Sequence, residues 1–391
     1  MTKFGFLTYD LQPFTEDCLY RIQSSNKWAS IKAYPIIEHR NQEASRVDYM
    51  PSRQKGKFFG PSRGSRTPEG FAINVNIKSV YKCVIESDVV VLFGLQGASA
   101  VLAVVFGKLL RRPILTVSQT LPVQHEKNRR WWVRSLKSFI YRCGSLHVSQ
   151  SPATTEVLTN IYNIPHSKIV FAQFEAGASL FREKISNKNL YSGAKTMRVE
   201  SATNFLFVGN LHPFKGIGTI IEALSMIREK RKFICHFAGP HAGKDGEVGT
   251  PKYWSNLARK YSVLESVNFL GQLNFEQLIK AYSECDVVIL PTYRDMFPKV
   301  LVEGALFEKP LISTTANGAN NAILINNNNG FVVEPGDPSA LATAMQMLSS
   351  ANLRNTMGKR SRQIVDQLCS IDNENEGFSK ALKLMVNIIK K

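Results

Sequence analysis

Three stretches in the second half of the chain place chemically capable residues between apolar runs. In FLFVGNLHPFKGIGTIIEAL, Gly209 permits close backbone approach and Lys215 brings a cation to the end of a strand. The N–H groups that open the following helix favour an anion, so Gly209, Asn210 and Lys215 could cradle a diphosphate. A surface lysine in a turn explains the same loop equally well. In VVILPTYRDMFPKVLVEGALFEKPLIST, Asp295 lies in the loop and Glu303 on the early face of a helix whose first turn accommodates Pro298. Alternatively, Asp295 only caps that helix and Glu303 is simply exposed. The third stretch, PLISTTANGANNAILINNNNGFVVEPGD, ends a strand at Thr314-Thr315, followed by Asn317-Gly318, whose backbone could approach a ligand closely. Asn326 to Asn329 read more simply as a polar turn.

Such loops need a sheet to hold them. A chain of 391 residues suggests two domains at ~100–200 residues each. Short apolar runs at 4–9, 31–37, 89–93, 113–118, 145–150 and 168–174 read as strands of the first half. Those of the second half lie at 205–210, 232–239, 266–271, 286–292, 310–314 and 330–334, with helical patterns at 218–230, 274–285, 298–308 and 338–350. Strands alternating with helices predict an α/β fold of two parallel, Rossmann-like sheets. The expected domains are 1–181 and 204–370, joined by a polar linker at 182–203, with a final amphipathic helix at 371–391. In open α/β sheets ligands bind at the carboxyl ends of strands, where strand order reverses. Two such sheets facing across a cleft would suit an enzyme that joins two substrates.

Composition narrows the class. With 44% hydrophobic and 20% charged residues, wholesale disorder, collagen-like and coiled-coil architectures are out. Six scattered cysteines without a C-x-x-C pair disfavour a disulfide framework or zinc cluster and fit a reducing compartment. The start, MTKFGFLTYD, lacks the apolar region of a signal peptide, so a cytoplasmic setting is expected. Residues 89–110 approach the length of a membrane span, but Gly94, Gln96, Gly97 and Ser99 interrupt them, which favours a buried strand, a turn and an apolar helix. The formal charge is +18, and the first 200 residues hold 28 Lys+Arg against 14 Asp+Glu. The excess gathers in a loop-like stretch, 51–69, and in 127–142. There Trp132, Val133, Leu136, Phe139, Ile140 and Cys143 would share one helical face, opposite Lys127, Arg130, Arg134 and Lys137. A solvated basic face explains these clusters; contact with an anionic membrane surface is the second reading. Basicity alone also fits nucleic acid, yet no zinc-finger, RNP-like or helix-turn-helix signature accompanies it.

Taken together and in order, VGNLHPFKG, IIEAL, LGQLNFEQLIKAYSECDVVILPT, DMFPKVLVEGA, KPLIST and NGFVVEPGDPSALATAM resemble the nucleotide-sugar-binding domain of family-four retaining glycosyltransferases of the two-Rossmann GT-B architecture. The resemblance covers about residues 203–350; the first half matches only loosely, through VSQSPATTEVL, NIPHSKIV and AGASLF. It implies a last helix that crosses back to the first domain.

By this resemblance Lys215 holds the donor diphosphate, while Asp295 and Glu303 occupy the family's paired-glutamate motif. The first acid would contact the transferred sugar and the second the ribose hydroxyls. Backbone around Phe297 and Lys299 would meet sugar and phosphates, and Gly318 would border the nucleotide. Four departures stand out. Asn210 replaces the usual arginine, for which His212 or Arg294 could substitute. Asp295 is one methylene shorter than glutamate. Ser118 and Gln119 stand where the acceptor domain usually has a histidine, leaving His125 as the candidate catalytic or sugar-positioning group. The glycine-rich loop expected after the first strand is also missing from TYDLQPFTED. The activity implied is sugar transfer from a nucleoside-diphosphate sugar to a hydroxyl acceptor, with retention and without a metal or other cofactor. The acceptor would be a saccharide or lipid-linked saccharide, in cell-envelope polysaccharide or glycolipid assembly at the cytoplasmic face of the membrane. The competing expectations are a GT-B-fold nucleotide-sugar epimerase, and a basic membrane- or nucleic-acid-binding protein with a vestigial sugar-nucleotide site.

Overall fold

The computed structural model describes residues 1–8, 13–36, 76–94, 97–121, 131–185, 196–228, 232–241, 243 and 246–390. The basic stretch 51–69, residues 127–130 and His125 lie outside the described residues. Contacts divide the chain into two units, 1–174 with 371–391, and 175–370.

The first unit is built on six parallel strands: β1 (Thr2–Thr8), β2 (Ala29–Pro35), β3 (Val89–Phe93), β4 (Ile114–Ser118), β5 (Leu146–Ser149) and β6 (Ile169–Phe171). Their order is β2-β1-β3-β4-β5-β6. Helices α1 (Pro13–Ser25), α2 (Ile77–Glu86), α3 (Ala98–Leu109), α4 (Trp131–Cys143) and α5 (Pro152–Glu156) connect them. Runs such as VVVLF and ILTVS are apolar throughout because both faces of the sheet are covered. On one face Phe4, Phe6, Val89 and Val91 pack with Leu19 and Ile22 of α1. On the other, Val90, Leu92 and Ile114 pack with Val80 and Val84 of α2, Ala103 and Val104 of α3, and Ile140 of α4. Within 89–110, Val89–Phe93 thus form a strand and Ala98–Leu109 a core-packed helix, and among the described residues no helix is long and apolar enough to cross a membrane.

The face expected on α4 holds at Val133 and Ile140, which are buried, and at Trp132, Leu136 and Cys143, which are half-buried, but not at Phe139. Phe139 is exposed, whereas Tyr141 is buried, its ring 4.6 Å from that of Tyr162 and its hydroxyl donating to Ser118 Oγ at 3.2 Å. A partner for its polar tip lets tyrosine enter a core that phenylalanine leaves.

The second unit repeats the plan with β7 (Thr203–Val208), β8 (Phe233–Ala238), β9 (Val267–Gly271), β10 (Val287–Leu290), β11 (Leu311–Thr314) and β12 (Gly330–Val333), ordered β12-β11-β10-β7-β8-β9 and all parallel. Its helices are α6 (Ala178–Ile185), α7 (Ile217–Ile227), α8 (Pro251–Lys260), α9 (Phe275–Glu284), α10 (Lys299–Leu306), α11 (Pro338–Met347) and α12 (Ala351–Leu368). Side-chain caps from Thr250, Asn274, Asp337 and Ser350 start α8, α9, α11 and α12.

Residues 175–181, expected in the first domain, group with the second unit, as do the described parts of the expected linker. The reason lies in α6: Arg182 donates to the carbonyls of Cys369 (2.6 Å) and Val365 (3.0 Å) at the end of α12. The last helix, α13 (Ile371–Ile389), returns to the first unit. Phe378, Ala381, Leu382 and Met385 join the core on the α1 face, and Arg21 meets Glu374 at 2.8 Å.

Candidate functional site

Strand order in the second sheet reverses at the junction of β7 and β10, and the loops leaving β7, β10 and β11 are laced together there. After β7, residues 213–215 make one tight turn, capped by His212 Nδ1, which accepts from the Phe214 N–H at 3.4 Å. Gly216 follows at φ 84°, and a Cβ on it would lie 2.0 Å from the carbonyl oxygen of Pro291. Only glycine lets the two loops approach so closely. The Phe214 carbonyl accepts from the N–H of Tyr293 (2.8 Å) and from Thr292 Oγ1 (3.2 Å). Farther along, the Asp295 N–H donates to Ala316 O and the Gly318 N–H to Asp295 O, both at 3.0 Å.

This lacing brings Lys215 Nζ to 2.6 Å from Asp295 Oδ2, although the residues are 80 positions apart. Both side chains keep about a fifth of their surface exposed, at 20% and 17%. Helices α7 and α10 start just beyond these loops, at Gly216 and Pro298, and neither has a side-chain cap. A cation, a carboxylate and two helix N-termini therefore lie on loops leaving adjacent strands at the switch point, a combination suited to an anionic ligand that also carries hydroxyl groups.

Glu303 is held separately. It projects from the second turn of α10, partly buried, and its Oε2 accepts a 2.6 Å hydrogen bond from the Tyr282 hydroxyl of α9. Burial raises the pKa of Glu303 above the usual carboxylate range, while the Tyr282 bond and the nearby Lys299 charge oppose that shift. Burial and the same carboxylate push the phenol of Tyr282 far upward, so it stays a donor. Its ring stacks on Phe307 at 5.5 Å. Lys299 is exposed over much of its side chain, yet desolvation around its ammonium lowers its pKa against the pull of Glu303 and Glu175.

Of the residues singled out in the sequence, Lys215 and Asp295 meet directly, and Glu303 stands on the helix that follows Asp295. Asp295 does not cap that helix; Pro298 is the N-cap residue, and the carboxylate turns to Lys215 instead. Gly209, at φ 154°, has space beside it, since a Cβ there would meet only the Phe207 ring at 3.6 Å, whereas a Cβ on Gly239 would lie 2.0 Å from Gly209 O. Asn210 and Arg294 are exposed and Phe297 is buried. The Gly318 amide is engaged with Asp295 rather than open to a ligand. Two residues escaped the sequence, and a third was read for its backbone alone. Tyr282 lay unremarked within the 274–285 helical pattern and Thr292 at the end of a strand, while Asn317 stood out only as backbone, with Gly318, that a ligand could approach. Asn317 is in fact buried and bonded to Ser313 Oγ (3.0 Å), Thr314 O (2.7 Å) and Asn320 Oδ1 (2.9 Å), which fixes the β11 loop.

Residues 194–364 match the family model for glycosyl transferases group 1. Curated relatives include the D-inositol 3-phosphate glycosyltransferase of Corynebacterium diphtheriae, 25% identical over 219 residues, which are 54% of this chain and 49% of that protein. Another is glycogen synthase of Mycobacterium tuberculosis, 31% identical over 142 residues, 36% of this chain and 32% of that one. The chain thus spans half or less of these relatives. Among solved structures, Anabaena HepE in complex with UDP is similar over 98% of this chain and 100% of its own, with a TM-score of 0.69 at 16% identity. Sucrose-phosphate synthase from Thermosynechococcus elongatus is similar over 99% and 100%, with a TM-score of 0.71 at 16% identity. These likenesses establish the two-sheet α/β fold. Residues 194–364, which contain Lys215, Asp295 and Glu303, are thus similar to the glycosyl transferases group 1 family.

Proposed function

We propose that the protein transfers a sugar from a nucleoside-diphosphate sugar to a hydroxyl of a saccharide or lipid-linked saccharide acceptor, with retention at the anomeric carbon. The observation that carries this reading is the Lys215–Asp295 pair on the laced loops of the β7/β10 switch point, inside the family-matched segment. Similarity to a fold that binds UDP in HepE supports a uridine donor first.

In this reading the donor diphosphate draws Lys215 away from Asp295 and lies toward the starts of α7 and α10. As the C1–O bond to the leaving phosphate breaks, negative charge grows on the nucleoside diphosphate and Lys215 and the helix N-termini stabilise it. The acceptor oxygen bonds to C1 on the same face, and its proton passes to the departing phosphate oxygen. Asp295, released from Lys215, faces the sugar hydroxyls. Glu303, oriented through one oxygen by Tyr282, offers the other to the ribose. Asn210 leaves the phosphates one cation short of the family pattern, a gap that Arg294 of the β10 loop, or His212, would fill. His125 keeps its proposed role beside the acceptor. Cell-envelope polysaccharide or glycolipid assembly is the setting proposed.

A thermal-unfolding panel with UDP, GDP, ADP and CDP tests the donor site. A ligand at ~100 times its dissociation constant adds ~2.7 kcal/mol of stability. One diphosphate should raise the midpoint, and consumption of its sugar conjugate should follow; four flat responses would remove the reading.

A further inference from the structure

The outer face of the first unit carries a second feature that the donor site does not use. Helices α2, α3 and α4 all cover the same side of the first sheet, and α3 packs against both of the others. Their inward residues form one core, yet their outward faces are not polar. On α2, Ile77, Tyr81 and Ile85 recur every four residues, so they line one edge of the helix, and all three are exposed. At the end of α3, Leu109 is 72% exposed and Leu110 51% exposed; on α4, Trp131 is 78% exposed and Phe139 also faces outward.

Charge accompanies this apolar surface. The three helices contain Lys78, Lys82, Lys108, Arg134, Lys137 and Arg142, and Glu86 is their single acidic residue. Glu86 is itself within ion-pair distance of Lys32 and Lys82. Exposed aliphatic and aromatic side chains among cations form the pattern of a surface that lies against a bilayer: the apolar groups enter the acyl boundary while lysine and arginine meet lipid phosphates. An exposed tryptophan suits that boundary, being apolar with one polar N–H. Phosphates of a nucleic acid would satisfy the cations but would leave Leu109, Leu110, Ile77 and Ile85 in water.

We infer that the outer face of α2, α3 and α4 docks the protein on an anionic lipid membrane, inserting Tyr81, Leu109 and Trp131 while the surrounding lysines and arginines pair with lipid headgroups. The docking does not depend on the donor-site reading, because its readout is vesicle binding rather than turnover.

The test is co-sedimentation of the full chain with vesicles of phosphatidylcholine alone and of phosphatidylcholine with phosphatidylglycerol at three to one. Binding is expected to the anionic vesicles and to be lost on pure phosphatidylcholine. Replacing Lys108, Arg134 and Arg142 by glutamine should weaken it about fivefold per charge removed. The triple variant Tyr81→Ser, Leu109→Ser, Trp131→Ser should weaken it more than tenfold with an unchanged thermal midpoint. If that variant is unstable, Leu109→Ser alone, at a largely exposed position, should still weaken binding measurably. Absence of vesicle binding, equal binding to both vesicle types, or full binding by the folded serine variants would overturn the inference. So would self-association, or RNA binding, that the serine variant abolishes in a protein that ignores vesicles.

Discussion

Both units rest on six parallel strands with helices on the two faces, yet they present different chemistry. In the second, polar side chains gather at the carboxyl ends of β7, β10 and β11, where three loops are bonded into one net around Lys215 and Asp295. In the first, the described residues show their distinctive surface on the sides of the helices, where apolar and basic groups alternate. Each sheet also buries one histidine, but with different support. His236 on β8 accepts from Asn268 Nδ2 through Nδ1 and donates from Nε2 to Asn204 Oδ1, both at 3.1 Å. His147 on β5 meets Thr116 Oγ1 at 2.7 Å, while its Nε2 has no hydrogen-bond partner among the described residues. The same layer plan thus supports a site at strand ends in one case and a surface on helix flanks in the other; architecture alone decides neither.

The sharpest way to break the comparison is Lys215→Ala. If the charge at the β7 loop stabilises the departing diphosphate, turnover should fall by about 10²–10³-fold, with the unfolding midpoint little changed. Turnover within a factor of three would show that the β7 loop is ordinary surface.

Acid should stress both units. Burial lowers His147 and His236 to about 4 in the folded chain, against ~6.5 when unfolded. The unfolded chain therefore binds protons first, so stability present above pH ~6.5 drains as the pH falls toward 4. Each histidine accounts for a loss of about 3 kcal/mol at most across that window. Urea midpoints measured from pH 7 to 4 should fall accordingly, and His236→Gln should remove part of the slope. A flat profile would mean that neither imidazole is held neutral.

Tyr282→Phe probes the arm of the site that the sequence did not reveal. Losing a hydrogen bond to a carboxylate costs about 1.5–3 kcal/mol, and Glu303 would be left less firmly oriented. A drop of at least tenfold in kcat/KM is expected, expressed mainly in the donor KM if Glu303 grips the ribose. An unchanged donor KM would confine Tyr282 to packing. The smallest effect concerns α4: Phe139→Ser should change stability by no more than about 0.5 kcal/mol, whereas an inward-facing phenylalanine would cost several times that.

The strands were the most legible part of the sequence, because β-branched apolar runs such as VVVLF and DVVIL leave few alternatives. Helices α8 and α12 were not foreseen: PKYWSNLARK and the arginine-rich 351–368 bury only a few residues each, so their periodicity is faint. Lys215 and Asp295 could be read as loop residues at strand ends, but their pairing could not, since it depends on Gly216 allowing close contact with Pro291. Tyr282 was hidden because a tyrosine on an amphipathic helix looks like core; only the packing of α9 beside α10 gives its hydroxyl a carboxylate. On α4 the expected face failed only at Phe139, which is exposed, and missed Tyr141, which enters the core because Ser118 supplies a partner for its hydroxyl.

In the proposed function the β7 and β10 loops bind a nucleoside diphosphate through Lys215. Calorimetric titration of UDP, GDP, ADP and CDP into the wild-type chain and into Lys215→Ala addresses it directly. At least one nucleotide should bind the wild type, and the variant should bind that nucleotide at least tenfold more weakly. Equal affinity for the two proteins, or no binding by the wild type, would contradict the account.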